Sequence, residues 1–115
     1  MKQLICVILL AVSSTICFCQ DKVPVFVSGE DGFKSYRIPA IIGLPNGELL
    51  AFAEGRVHHA GDFGDVKIVM KHSNDKGNTW SKLQIVASND TLQAGNAAPV
   101  VDLTDPEYPQ GRIFL

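Results

Sequence analysis

Residues 73–80 read Ser-Asn-Asp-Lys-Gly-Asn-Thr-Trp, and this polar stretch between two apolar runs decides the fold. It fits the pattern Ser-x-Asp-x-Gly-x-Thr-Trp at every fixed position. Asp75 can accept hydrogen bonds from backbone N–H groups of its own turn, and Gly77 can supply the positive φ that the turn needs. Ser73 and Thr79 can bond across the neck of the loop, while Trp80 covers it with a large apolar face. The stretch therefore predicts a self-closed turn between two strands.

Short apolar or alternating runs recur on both sides of this turn, separated by Gly, Pro, Asn and Asp. Helical periodicity is absent from residue 20 onward, so the pattern predicts an all-β protein. Pro24 makes the first strand an edge or entry segment. The predicted strands are Val23–Val27, Tyr36–Gly43, Glu48–Glu54, Val66–His72, Lys82–Ala87, Ala98–Asp102 and Arg112–Leu115.

Residues 44–47 read Leu-Pro-Asn-Gly and leave two hairpin registers open. If the Asn and Gly form a two-residue loop, Arg37 faces Arg56 across the hairpin, with Cβ atoms roughly 4.5–5.5 Å apart. Such a pair of like charges is destabilising unless an anion lies between them, which suggests a carboxylate ligand. If the Pro and Asn form a type I turn with the Gly as a bulge, the two side chains lie on opposite sides. Two solvated arginines at a strand end are the simpler alternative.

The four strands between residues 36 and 87 occupy about 50 residues, which is the size of one propeller blade. Residues 98–102 and 112–115 then resemble the first two strands of a second blade. Because propellers close with roughly 4 to 8 blades, we expect the chain to be the N-terminal piece of a longer protein. The alternative is a small β-sandwich in which Arg112–Leu115 is an ordinary edge strand.

Residues 1–19 have the layout of a secretory signal peptide, with Lys2, an apolar run from Leu4 to Val12 and small polar residues after it. The run is too short to span a bilayer, and no later run is long enough. Cleavage after Cys19 would leave residues 20–115 as a secreted or periplasmic domain. An uncleaved anchor and a lipid anchor at Cys17 or Cys19 are the alternatives.

Composition excludes several classes of partner. The formal net charge is −2 and the chain contains no basic cluster, so a nucleic-acid partner is disfavoured. All three cysteines lie within residues 1–19, and residues 20–115 must be stable without disulfides. Adjacent His58 and His59 point in opposite directions on an extended chain, and Asp62 and Asp65 lack the ligand spacing of a dedicated calcium loop. We predict no metal and no cofactor.

Two further stretches, Tyr36-Arg37-Ile38-Pro39 and Phe-Ala-Glu-Gly-Arg at residues 52–56, occur together with the 73–80 turn. The combination resembles the sialidases, whose first blade opens with a Phe/Tyr-Arg-Ile-Pro motif and whose outer strands are joined by the Asp box. The resemblance implies a six-bladed β-propeller, with only about the first two blades in this chain. It also implies a structural role for the Asp box, whose fixed positions are Ser73, Asp75, Gly77, Thr79 and Trp80.

The resemblance gives roles to individual residues. Arg37 takes the position of one of three arginines that clamp the substrate's C1 carboxylate, and Arg56 lines the pocket near the 4-hydroxyl. Asp62 takes the position of the acid/base aspartate on a mobile loop, with Asp65 as its rival. Asn96 matches a polar pocket residue at the start of the second blade. A loop carboxylate that becomes desolvated under bound substrate would have its pKa raised, as a general acid requires.

Members of this family are exo-alpha-sialidases, glycoside hydrolases that release terminal sialic acid from glycoproteins and glycolipids with retention, through a covalent tyrosyl intermediate. The nucleophilic tyrosine, its glutamate partner and the other two arginines belong to later blades, and neither Tyr36 nor Tyr108 is assigned to that role. We therefore expect the 115-residue chain alone to be inactive. The alternative function is a non-catalytic carbohydrate-binding propeller or adhesin that keeps the Asp box only for folding.

Overall fold

The computed structural model describes residues 22–115, which form six strands and no helix. The predicted signal peptide lies outside the described residues. Within 22–115 there is no helix long and apolar enough to cross a membrane. The strands are β1 (Ser35–Gly43), β2 (Leu49–Arg56), β3 (Val66–Ser73), β4 (Gln84–Ala87), β5 (Val100–Asp102) and β6 (Arg112–Phe114).

The strands form two antiparallel sheets, so the predicted all-β class is confirmed. One sheet has the order β1-β2-β3-β4, in which every strand pairs with its neighbour in sequence. The other consists of β5 and β6 alone. Consecutive pairing requires only short connections, and these are the polar stretches that separate the apolar runs.

The predicted strand Val23–Val27 is wrong, because these residues belong to neither sheet. Pro24 has no N–H to donate to a ladder, and the carbonyl of Val27 instead accepts from the N–H of Glu30 in a turn. The segment contributes through packing: the Phe26 ring lies 5.2 Å from the ring of Tyr36. Its apolar residues therefore reflect core contact rather than strand pairing.

Strand β2 is one of the two inner strands of the larger sheet and is buried on both faces. On one face Ala53 packs with Phe33 and Val69. On the other face Leu50 and Phe52 form a second cluster, which includes Ile68 from β3. Because side chains alternate along a strand, the side chains at the even-numbered positions after Phe52 lie on the same face as Leu50 and Phe52. Those positions carry Glu54 and Arg56.

The β1–β2 turn has the second of the two predicted registers. The N–H of Gly47 donates to the carbonyl of Leu44 at 2.9 Å, and Gly47 has a φ of +87°. Gly43 then pairs with Leu49. The turn is thus centred on the Pro-Asn pair with the glycine as a bulge. Direct opposition of Arg37 and Arg56, which the two-residue loop required, is wrong: Arg37 pairs with Glu54.

The turn at residues 73–80 is closed by hydrogen bonds to Asp75. One carboxylate oxygen accepts from the hydroxyl of Ser73 at 2.8 Å and from the N–H of Thr79 at 2.9 Å, and the other accepts from the Thr79 hydroxyl at 2.6 Å. The Ser73 hydroxyl also accepts from the N–H of Gly77 at 2.9 Å. These bonds lower the pKa of Asp75 to about 2, with the Thr79 hydroxyl as the largest cause.

Gly77 provides a test of this turn, because its φ is +89° and an added Cβ would meet only ordinary contacts with Leu49 and Trp80. We expect Gly77→Ala to lower the free energy of unfolding by about 1–2 kcal/mol through backbone strain alone. Gly43→Ala is the matched control, since Gly43 lies in a strand with room for a methyl group. Urea unfolding of the purified protein measures both, and equal stability of the two variants would contradict the assignment.

Candidate active site

The candidate site lies where β2 ends and the β2–β3 loop, residues 57–65, begins. The N–H of Val57 donates to the carbonyl of Asp65 at 3.1 Å and closes the neck of this loop. Arg56 is the last residue of β2 and pairs with Val66, the first residue of β3. The loop therefore rises directly from a rigid strand pair, and Asp62 lies in its second half.

An irregularity in β1 determines where Arg37 lies. Ala40 pairs with Phe52 but Arg37 pairs with Glu54, so two residues of β1 lie opposite one residue of β2. This is a β-bulge, and within it Ile38 has a φ of +50°, which a β-branched residue rarely adopts. Pro39 follows and has no N–H to lose from the ladder. The extra residue turns Arg37 to the face of β2 that carries Glu54 and Arg56.

The two arginines converge on one carboxylate oxygen. Asp62 Oδ1 lies 2.8 Å from Arg37 Nη1 and 2.9 Å from Arg56 Nη1. Both guanidinium groups also donate to the carbonyl oxygen of Ala60, at 3.5 Å from Arg37 and 2.5 Å from Arg56. The anion that a pair of like charges requires is thus supplied by the chain's own loop.

The charges of this cluster differ sharply in exposure. Arg56 is 2% exposed, whereas Arg37 is 47% and Asp62 is 65% exposed. The hydrogen bond from Arg56 and then the charge of Arg37 lower the pKa of Asp62. Burial alone would lower the pKa of Arg56, but its hydrogen bonds to Glu54 and Asp62 outweigh burial and raise it. In this arrangement Asp62 is an ionised carboxylate rather than an acid that holds a proton.

Glu54 is a member of the site that sequence reasoning missed. Its side chain is 1% exposed, and Oε2 accepts from Arg56 Nη2 at 2.6 Å and from Arg56 Nε at 3.2 Å. A signal for it exists in the sequence: Glu54 shares its strand face with Leu50 and Phe52, so a charged residue occupies a buried position. Buried charges are almost always paired, which would have pointed to Arg56.

The remaining candidates have other contacts. Asp65 accepts from Lys67 Nζ at 2.6 Å, which engages its carboxylate with a cation outside the arginine pair. Asn96 meets the cluster through its main chain: its N–H donates to Glu54 Oε1 at 2.9 Å. The structure therefore brings Arg37, Arg56 and Asp62 together and links Asn96 to them through Glu54.

Tyr36 points away from this cluster, as the residue next to Arg37 on a strand must. Its hydroxyl donates to the carbonyl of Glu30 at 3.0 Å. Burial, and then the charges of Asp31 and Glu30, raise the pKa of Tyr36 to about 12, which disfavours the phenolate. Tyr108 stacks instead on the guanidinium of Arg112, 4.7 Å from the ring centre.

The loop histidines form no metal centre with their neighbours. His59 Nδ1 accepts from the N–H of Gly61 at 3.0 Å, which engages one of its two ring nitrogens. Across residues 22–115 there is no group of three or more His, Cys, Asp or Glu side chains placed to hold a metal ion. The cluster itself consists of two guanidinium groups, the exposed carboxylate of Asp62 and the buried carboxylate of Glu54.

Sequence comparisons find that the chain is similar to several sialidases. The chain is 42% identical over 77 residues to an exo-alpha-sialidase of Aspergillus fumigatus, covering 62% of this chain and 19% of that protein. It is 38% identical over 82 residues to a sialidase of Micromonospora viridifaciens, covering 71% of this chain and 12% of that protein. A sialidase of Paraclostridium sordellii is 34% identical over 80 residues. No family model matches the chain.

The chain thus spans less than a fifth of the length of these curated relatives, at 12–19%. The matched part amounts to 62–71% of this chain. The sequence is sialidase-like throughout the matched part.

Substitution of Arg37 tests the contact between the loop and the arginines, because Arg37 is half exposed and its loss leaves the buried pair intact. We expect Arg37→Ala to raise the pKa of Asp62 toward its ordinary value of 3.8 without reaching it, since the Arg56 bond is the larger cause. Because the folded pKa is lowered, these ion pairs stabilise the protein above pH 3.8 and lose their effect as the pH falls through the folded value.

Carbon-detected NMR titration of the aspartate carboxyl groups measures this shift. Asp75 is the control in the same spectrum, since its pKa depends on the separate turn at residues 73–80. An Asp62 titration that is identical in Arg37→Ala and in the wild type would contradict the described contact.

Proposed function

We propose that this sialidase-like chain is the N-terminal part of the catalytic domain of an exo-alpha-sialidase, which hydrolyses terminal sialic acids from glycoproteins, glycolipids or other sialylated glycans. The observation that carries the proposal is the convergence of Arg37 and Arg56 on one carboxylate oxygen. The names and identities of the relatives support the same reaction. In this proposal residues 20–115 form about two blades of a six-bladed propeller, and the Asp box is the turn at residues 73–80.

The arginine pair suits the recognition of a sugar carboxylate. A guanidinium donates charge-assisted hydrogen bonds in a fixed plane, which matches the geometry of a carboxylate better than an ammonium group does. Arg37, at 47% exposed, is open to a ligand, whereas Arg56 presents only Nη1 to the same space. We assign Arg37 to the C1 carboxylate of sialic acid and Arg56, with Asn96 nearby, to the ring substituents beside it.

Asp62 would change its protonation when a sialoside binds. The ligand carboxylate competes with Asp62 for Arg37, and an Asp62 that loses a cationic neighbour regains a higher pKa. Partial desolvation under the substrate raises it further. A protonated Asp62 can then donate its proton to the glycosidic oxygen as the bond to the anomeric carbon breaks, and the resulting carboxylate can later take a proton from the attacking water.

The rest of the reaction would be supplied by the longer protein. We propose retention through a tyrosyl intermediate, because the anomeric carbon of sialic acid already carries a carboxylate and a neutral phenol avoids repulsion from it. Tyr36 has its hydroxyl bonded on the other face, so the nucleophile lies elsewhere. Residues 1–19 would serve as a cleavable signal peptide, which places the enzyme outside the cytoplasmic membrane.

The 115-residue chain should show no measurable hydrolysis by itself, because it would contain the acid but not the nucleophile. The assay is release of the fluorophore from a 4-methylumbelliferyl sialoside, with the full-length protein at equal concentration as the positive control. Turnover by the purified 115-residue chain would contradict the assignment of the nucleophile to a later segment.

Asp62→Ala in the full-length protein should lower kcat by about 10²–10⁴-fold, the usual contribution of a general acid, while sialic acid is still bound. Asp65→Ala is the matched control: it removes a carboxylate from the same loop, but one that pairs with Lys67, and turnover should remain. If Asp65→Ala rather than Asp62→Ala abolishes turnover, the acid is Asp65. If the full-length wild type binds sialic acid without hydrolysing a sialoside, the protein is a carbohydrate-binding propeller instead.

A further inference from the structure

We propose that Glu54 is a positioning residue, which holds the Arg56 guanidinium so that Nη1 alone faces the candidate site. The inference rests on the proposed function, since it concerns how Arg56 meets a sialoside. The arginine motifs and the loop aspartates do not indicate this role of Glu54. The role follows from the contacts that its buried carboxylate makes.

The first contact is the pairing of Glu54 with one edge of the guanidinium. Arg56 Nη2 and Nε both donate to Oε2, at 2.6 and 3.2 Å. The two residues are two positions apart on β2, so they share a face, and their side chains are 1% and 2% exposed. With its Nε and Nη2 engaged below the surface, Arg56 has Nη1 left to donate outward. That nitrogen is the one that contacts Asp62 and the Ala60 carbonyl.

The second contact fixes Glu54 itself. Its other oxygen, Oε1, accepts from the N–H of Asn96 at 2.9 Å, so the carboxylate is held from two directions. The chain approaches so closely that a Cβ on Gly95 would lie 2.6 Å from Oε1. Glycine at position 95 therefore lets the segment before β5 reach a side chain of the larger sheet.

A carboxylate held in this way selects one rotamer of a long, flexible side chain. An arginine that is fixed before the ligand arrives loses little rotamer entropy on binding, which is the usual gain from preorganisation. A guanidinium that is no longer held in place must be ordered when the ligand binds, which weakens binding before the chemical step. A buried ion pair with no such role would affect stability but not the affinity for substrate.

The test shortens the side chain of Glu54 and keeps its negative charge. Glu54→Asp keeps an anion beside Arg56 but withdraws it by one methylene, so it cannot hold both Arg56 and the Asn96 amide. In the full-length protein we expect the KM for a fluorogenic sialoside to rise roughly tenfold, with kcat within about twofold of the wild type. In an Arg56→Lys background the same substitution should change KM by less than about twofold, since the guanidinium through which Glu54 acts is gone.

Asp102→Glu is the matched control, because it also changes the length of a carboxylate paired with an arginine, Arg112, but in the β5–β6 sheet. Its KM should equal that of the wild type. Gly95→Ala is the second variant if Glu54→Asp shows no cooperative unfolding transition: it crowds Oε1 while both members of the pair remain, and KM should rise in the same direction.

The outcomes distinguish a failure of the positioning role of Glu54 from a failure of the proposed sialidase function. Lower melting temperatures with a wild-type KM in Glu54→Asp and Gly95→Ala would overturn the positioning role while the sialidase function stands. Equal effects of Glu54→Asp on KM in the wild-type and Arg56→Lys backgrounds would also overturn it, because Glu54 would then act without the guanidinium. A wild-type protein that neither hydrolyses a sialoside nor binds N-acetylneuraminate would overturn the proposed function, and this inference with it.

Discussion

The buried ion pair between Glu54 and Arg56 is the interaction on which the geometry of the candidate site depends. Two charges at the end of a strand that is buried on both faces are stable only because they satisfy each other. Removing one partner of such a pair generally costs about 3–5 kcal/mol, since the other charge is left buried and unpaired. The pair therefore connects the contact between Arg56 and Asp62 at the surface to the buried interior of the larger sheet.

Arg37 reaches the same face by a different route. The hairpin turn alone would leave it on the opposite side from Arg56, and the bulge at Ile38 and Pro39 brings it back. Strained backbone of this kind persists where the surrounding structure determines it, and such positions cluster at functional sites. One arginine is thus fixed by a buried anion and the other by a strained main chain, and Asp62 bridges both.

The sequence was sufficient for the larger features of the fold. Apolar runs bounded by turn residues predicted all six observed strands, because a strand period and its breakers are local properties. Val23–Val27 was wrong, since Phe26 is apolar for packing on Tyr36 and not for a place in a sheet. The register was left open between two turns, and the separate bulge at Ile38 and Pro39, which pairs Arg37 with Glu54, depends on contacts across strands. Pro39 inside a predicted strand was the available warning.

The site was predictable in its members but less so in its electrostatics. Motif resemblance named Arg37, Arg56 and Asp62, and the structure shows them in contact. It did not indicate that Asp62 would occupy the space between the arginines, because the path of a loop rich in Gly, His and Asp is not set by local periodicity. Nor did it indicate Glu54, whose importance follows from burial. A raised pKa was expected of Asp62 only beneath bound substrate; in the arrangement that the structure shows, the hydrogen bond from Arg56 and then the charge of Arg37 lower its pKa.

The most direct measurement is a crystal structure of the full-length protein with N-acetylneuraminate bound. The account predicts that the ligand carboxylate lies within hydrogen-bond distance of Arg37, that Arg56 Nη1 faces the same ligand with its other edge still on Glu54, and that Asp62 has left Arg37. A ligand bound elsewhere, with Asp62 Oδ1 still held between the two arginines, would contradict it.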